Sequence, residues 1–152
     1  DWSWIARVKD NPRITIPIFG NGDIDHPAKA LDYRRRYGVD GIMIGRASIG
    51  YPWIFREIKH YFATGELLEA PTVQERVAAA RQHLSDSLAW KGPKLGVLEM
   101  RRHYAPYFKD LPNIKQYRAR LVNEMEPAVL FAILDEIEET YSQAEFPLEI
   151  AG

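Results

Sequence analysis

The stretch Ile14-Thr15-Ile16-Pro17-Ile18-Phe19-Gly20-Asn21-Gly22-Asp23 decides the fold class. A nearly all-apolar run rich in β-branched residues breaks into a glycine-bracketed polar loop. Such a run fits a strand buried on both faces, as in a parallel sheet. Pro17 argues against a central strand unless its missing N–H falls where the ladder needs none. Further along the chain, Asp40-Gly41-Ile42-Met43-Ile44-Gly45 repeats the plan and opens into Arg46-Ala47-Ser48-Ile49-Gly50. Between the two runs, Pro27 to Tyr37 reads as a helix, with proline at its first turn and Gly38 just past its end. Trp2 to Val8 reads as the end of an earlier helix, and Pro52 to Ala63 as a later one with Ile54, Phe55, Ile58 and Phe62 on one face. A crossover of that length suits parallel strands. Two apolar strands need more neighbours than these residues supply. The pattern is that of the last two β/α units of a larger parallel-strand barrel or sheet.

Beyond Pro71 the sequence is helical only. Thr72 and Glu75 form a capping box, and Val77, Ala80, Leu84 and Leu88 follow at helical spacing. Gly92-Pro93 stops that helix. Further helices are expected over Lys94 to Phe108, Lys115 to Glu124, and from Pro127 onward. The last carries Leu130, Ile133, Leu134, Ile137 and Tyr141 in one stripe. Four helices with short links suggest a small antiparallel bundle. The expected organisation is α/β plus all-α, with residues 1–68 as the truncated α/β part (two strands, three helices) and 69–152 as the helical part.

The composition is that of a globular protein, with 46% hydrophobic and 27% charged residues in 152. No apolar run approaches the ~18 to 20 residues that span a bilayer. Without cysteine there is no disulfide, thiolate metal site or cysteine nucleophile in this chain, and a reducing, cytoplasmic compartment is expected. His26, His60, His83 and His103 have no metal-ligand spacing, so no metal is expected. Asp1 is not an initiator methionine, and the chain is expected to be a portion of something longer. The net charge of -1 hides an asymmetry. Residues 76–120 hold ten Lys/Arg against three Asp/Glu, whereas residues 121–152 hold eight Asp/Glu and no Lys/Arg. The basic segment fits a polyanion partner; it fits equally well two faces that pair inside one bundle.

Each loop after a strand has two readings. Gly20-Asn21-Gly22-Asp23 fits an anion site, where glycine lets backbone N–H groups approach the ligand, or simply a tight turn. Gly45-Arg46-Ala47-Ser48 adds a guanidinium that suits phosphate, or a surface arginine. Two such loops on adjacent parallel strands favour a shared phosphate site.

Ile16 to Ile24 and Met43 to Phe55 resemble the paired signatures of the seventh and eighth strands of the tRNA-dihydrouridine synthases. Gly96-Val97-Leu98-Glu99-Met100-Arg101-Arg102-His103-Tyr104 and Tyr107-Phe108-Lys109 are similar to the helical domain of its bacterial branch. The resemblance implies the end of an FMN-binding TIM barrel followed by a helical tRNA-binding domain. It implies reduction of tRNA uridine to 5,6-dihydrouridine, with NADPH reducing the flavin. Asn21, Gly22, Asp23, Gly45 and Arg46 would contact FMN. The family's general acid is a cysteine on an earlier loop, so no catalytic residue is expected here, and the chain alone is expected to be inactive. Arg101, Arg102, Lys109, Arg118 and Arg120 are the expected tRNA contacts, with Tyr104 and Tyr107 as candidates for base stacking. Trp2, Trp4, Trp53 and Trp90 read as packing residues. The alternatives are another FMN TIM-barrel oxidoreductase acting on a small molecule, or a non-enzymatic helical module. Exposed strand edges would invite self-association.

Overall fold

The computed structural model describes residues 1–142. The chain divides into two compact units, Asp1–Ala70 and Pro71–Gly152. In the first, helix α1 (Ser3–Lys9) precedes strand β1 (Phe19–Asn21), helix α2 (Pro27–Tyr37), strand β2 (Gly41–Met43) and helix α3 (Ile54–Thr64). The strands are parallel, with Phe19 opposite Gly41, Gly20 opposite Ile42 and Asn21 opposite Met43.

Strand β1 starts five residues later than the apolar run suggests. Pro17 has no N–H to give the ladder, and the Ile18 N–H donates to the Asp40 carboxylate at 2.7 Å. Pairing therefore begins at Phe19 and extends into the expected loop. Only one face of the pair is covered: Gly20 is buried, while Phe19 and Met43 are exposed. Beneath that face Trp2, Ile24, Ala30, Val39, Ile54 and Ile58 form the core. The Trp2 ring meets Tyr33 edge-on at 5.0 Å and Tyr37 at 5.7 Å. Phe55 faces outward, so the buried stripe of α3 is narrower than its sequence indicates. Gly38 and Gly65 close α2 and α3 in left-handed conformations, as helix-ending glycines do.

The second unit contains α4 (Val73–Tyr107), α5 (Lys115–Asn123) and α6 (Pro127–Ser142). The capping box is present: Glu75 N–H donates to Thr72 Oγ1 at 3.2 Å and Thr72 N–H to Glu75 Oε2 at 2.8 Å. Gly92, at φ 76° and ψ 172°, breaks α4. Residues 93–107 then fold back along 73–91. Ser87 Oγ donates to the Gly96 carbonyl at 3.1 Å, and Lys91 pairs with Glu99. The expected stripe on α6 is buried throughout: Leu130, Ile133, Leu134, Ile137 and Tyr141. These residues pack with Val77, Leu84, Val97, Met100, Tyr104, Phe108 and Leu121 as the interior of the unit. Trp4 and Trp90, at 62% and 83% exposure, are not packing residues here.

Candidate functional site

Both loops leave the carboxyl ends of the parallel strands on the same side, where ligands bind in parallel α/β folds. They enclose an open cavity of about 620 Å³ lined by Asn21, Gly22, Asp23, Ile24, Asp25, Gly45, Arg46 and Ala47. All five residues expected at a flavin phosphate site thus line one cavity. Ile24, Asp25 and Ala47 line it too, and nothing in their residue types marks them as ligand contacts in the sequence.

The loop backbones are anchored from below. The Trp2 indole N–H donates to the Gly22 carbonyl at 3.0 Å. The Ser48 hydroxyl donates to the Gly45 carbonyl at 2.8 Å, and the Ser48 N–H to the same oxygen at 3.0 Å. The latter bond closes a single 3-10 turn over Arg46–Ser48. Gly22 has φ 139° and Asp23 φ 50°, so the loop takes a path that a bulkier pair would resist. A Cβ on Gly45 would meet no atom within 4 Å, which leaves that backbone open to close approach. The Arg46 guanidinium, largely in solvent, pairs with the Asp23 carboxylate across the loops. The lining holds two carboxylates and one guanidinium, so net charge does not by itself draw an anion. The donors among the lining residues are the Arg46 guanidinium, the Asn21 amide and the loop N–H groups. This donor set fits the phosphate end of a flavin mononucleotide.

The basic segment of the second unit is partly spent on structure. Arg120 makes two hydrogen bonds to Glu136, at 2.5 and 2.8 Å, and holds that carboxyl below the usual range. Arg81 pairs with Asp135. Both ion pairs join the basic segment to α6, the self-pairing that the charge pattern left open. Glu145 and Glu149, the last two of the eight acidic residues in 121–152, lie outside the described residues. Arg76 is buried, donating to the Pro71 and Lys109 carbonyls. Lys109 lies 3.8 Å from Asp110. Arg101 reaches the Met125 sulfur at 3.2 Å and Arg102 donates to His103 Nε2 at 3.2 Å. Among the described residues no carboxylate pairs with Arg101, Arg102 or Arg118. Tyr104 and Tyr107 are buried, and burial pushes both phenols up. A ring inside the core cannot stack on a base, so neither is a stacking platform.

A family model described as dihydrouridine synthase (Dus) matches residues 1–144. The chain belongs to the dihydrouridine synthase family. It is 46% identical over 120 residues to a tRNA-dihydrouridine synthase B of Pseudomonas putida, covering 79% of this chain and 35% of the relative. It is 42% identical over 120 residues to a probable tRNA-dihydrouridine synthase 1 of Synechocystis, covering 79% and 33%. With a probable tRNA-dihydrouridine synthase of Rickettsia conorii it shares 37% over 142 residues, 93% of this chain and 41% of the relative. The chain therefore spans between a third and two fifths of the length of these dihydrouridine synthases. Among the described residues no helix is long and apolar enough to cross a membrane, and no group of three or more His, Cys, Asp or Glu is placed to hold a metal.

Proposed function

We propose that this chain is part of a tRNA-dihydrouridine synthase, which reduces uridine in tRNA to 5,6-dihydrouridine with FMN and NADPH. Residues 1–68 are the end of its TIM barrel, and residues 69–152 its helical tRNA-binding domain. The observation that carries the reading is the cavity at the strand ends, which unites Asn21, Gly22, Asp23, Gly45 and Arg46 in a chain that the family model matches over residues 1–144. FMN, when bound, supplies the hydride for the uracil ring. The residues here bind and orient: Arg46 and the two loops take the phosphate, and Asn21 hydrogen-bonds beside them. Arg46 must then share its fork between the phosphate and Asp23. Arg101, Arg102 and Arg118 are the best-placed tRNA contacts, because no described carboxylate holds them. Lys109 and Arg120 contribute once Asp110 and Glu136 yield. No cysteine in this chain can protonate the ring, so it is inactive alone. The uncovered strand pair makes it self-associate.

Titration of the chain with FMN, followed by amide NMR up to millimolar ligand, tests the cavity. Shifts confined to the two loops are expected. Arg46→Ala should weaken binding by at least about tenfold, the loss of a charge-assisted bond. Loop resonances that do not respond would refute the flavin reading. Binding of unmodified tRNA across a salt series tests the helical half. Affinity should fall steeply with salt as counterions are released, and Arg101→Ala/Arg102→Ala should weaken it and flatten the slope. FMN binding without tRNA binding would favour an oxidoreductase of small molecules.

A further inference from the structure

Trp2 lies twenty residues from the loop it touches and contributes no atom to the cavity lining. It is nevertheless built into that loop. Its indole N–H is bonded to the Gly22 carbonyl at 3.0 Å. Its ring occupies the space where a Cβ on Gly20 would stand, and a Cβ on Gly22 would come within 3.0 Å of its nitrogen. The ring is itself held: it is 7% exposed and packed by Tyr33 and Tyr37 from α2. Both glycines therefore serve the same neighbour, and the loop closes down on a fixed donor.

The consequence follows from the planarity of the peptide. In a trans peptide the C=O and the N–H of the next residue point in opposite directions, and no cis bond is present among the described residues. The carbonyl of the Gly22–Asp23 peptide is drawn inward to Trp2. The N–H of Asp23 is thereby turned outward, and Asp23 lines the cavity. That N–H donates to no turn or loop carbonyl among the described residues. We infer that Trp2 is a positioning residue: by holding the Gly22 carbonyl it aims the Asp23 N–H at the phosphate of the ligand. This inference rests on the reading of the cavity as a phosphate site. An apolar residue of the same size would fill the core equally well but leave this peptide free to rotate.

The test separates the bond from the packing. Replacement of Trp2 by 3-benzothienylalanine puts sulfur in place of the indole N–H and keeps ring size and shape. Binding of FMN and of riboflavin, which lacks the phosphate, is measured for both proteins. The native chain should prefer FMN. The replacement should cut that preference by about fivefold, the worth of one backbone hydrogen bond, and leave riboflavin binding unchanged. A native chain that binds the two flavins alike, or neither, overturns the phosphate reading and this inference with it. A native preference that survives the replacement in full overturns the role of Trp2 alone. Equal loss of both flavins also overturns it, since Trp2 would then act only through folding. Inorganic phosphate added to the native chain provides a second measurement that needs no variant. The Asp23 amide resonance should be among those that move, and its failure to move overturns the inference.

Discussion

At the residue scale, burial decides what a polar side chain does. Tyr104 is fully buried and its hydroxyl finds no partner among the described residues, so it fills volume. His83 and His103 face each other at 4.5 Å between ring centroids, and His83 Nδ1 lies 3.2 Å from the Tyr107 hydroxyl. Burial, with His83 as a second cause, takes His103 down to about 4 from 6.5, and burial lowers His83 too. The sign of the effect on stability follows. Between those two values the unfolded chain binds a proton that the folded chain does not, so stability falls as the pH drops from 6.5 toward 4 and is flat above that window. The melting temperature should therefore be lower at about pH 5 than at about pH 7.5. His103→Gln should lose less over the same interval, and equal losses would remove His103 as the cause. Histidine spacing in the sequence says nothing of this pairing, which needs the two arms of α4 side by side.

At the scale of elements, caps and stripes were legible because they are local. The capping box at Thr72 and Glu75, the glycine ends of α2 and α3, and the α6 stripe depend on residues within a few positions of one another. The apolar run sets the start of strand β1 too early, because that start depends on Asp40, over twenty residues away, capturing the Ile18 N–H. The two glycines of α4 separate local from distant causes. Gly92, at φ 76° and ψ 172° with open space around it, sits in a backbone region that is essentially glycine's own, so Gly92→Ala meets only backbone strain, about 1–3 kcal/mol. Gly96 has the Ser87 carbonyl 2.8 Å and Leu88 backbone 2.9 Å from any added Cβ. Gly96→Ala must push the arms apart at a cost of about 1–3 kcal/mol. Urea unfolding measures both. The decisive signature is a compensating Ser87→Gly change, which does not relieve the Gly96 variant because the obstacle is backbone; relief by it would show a looser contact.

At the scale of the whole molecule, a parallel pair with one bare face is marginal in water. Phe19 and Met43 lie exposed on the strands, and neither strand has a second neighbour among the described residues. Light scattering should find a dimer or larger species, and Phe19→Lys should shift it toward monomer. A monodisperse native monomer with both strands intact would refute the expectation. The charge asymmetry resolves at this scale too. Arg81 and Arg120 are drawn to α6, while Arg102 and Arg118 are not, and no count along the chain could sort them. By itself the sequence determined the elements set by short-range rules: helix ends, the amphipathic stripe, two glycine loops following two apolar runs, and the family those runs resemble. Only the tertiary structure decided where strand pairing starts, which arginines are already held, which tyrosines are buried, and that Trp2 grips the loop from beneath. Each of those depends on contacts between residues far apart in the chain, and such contacts exist only after the chain has closed on itself.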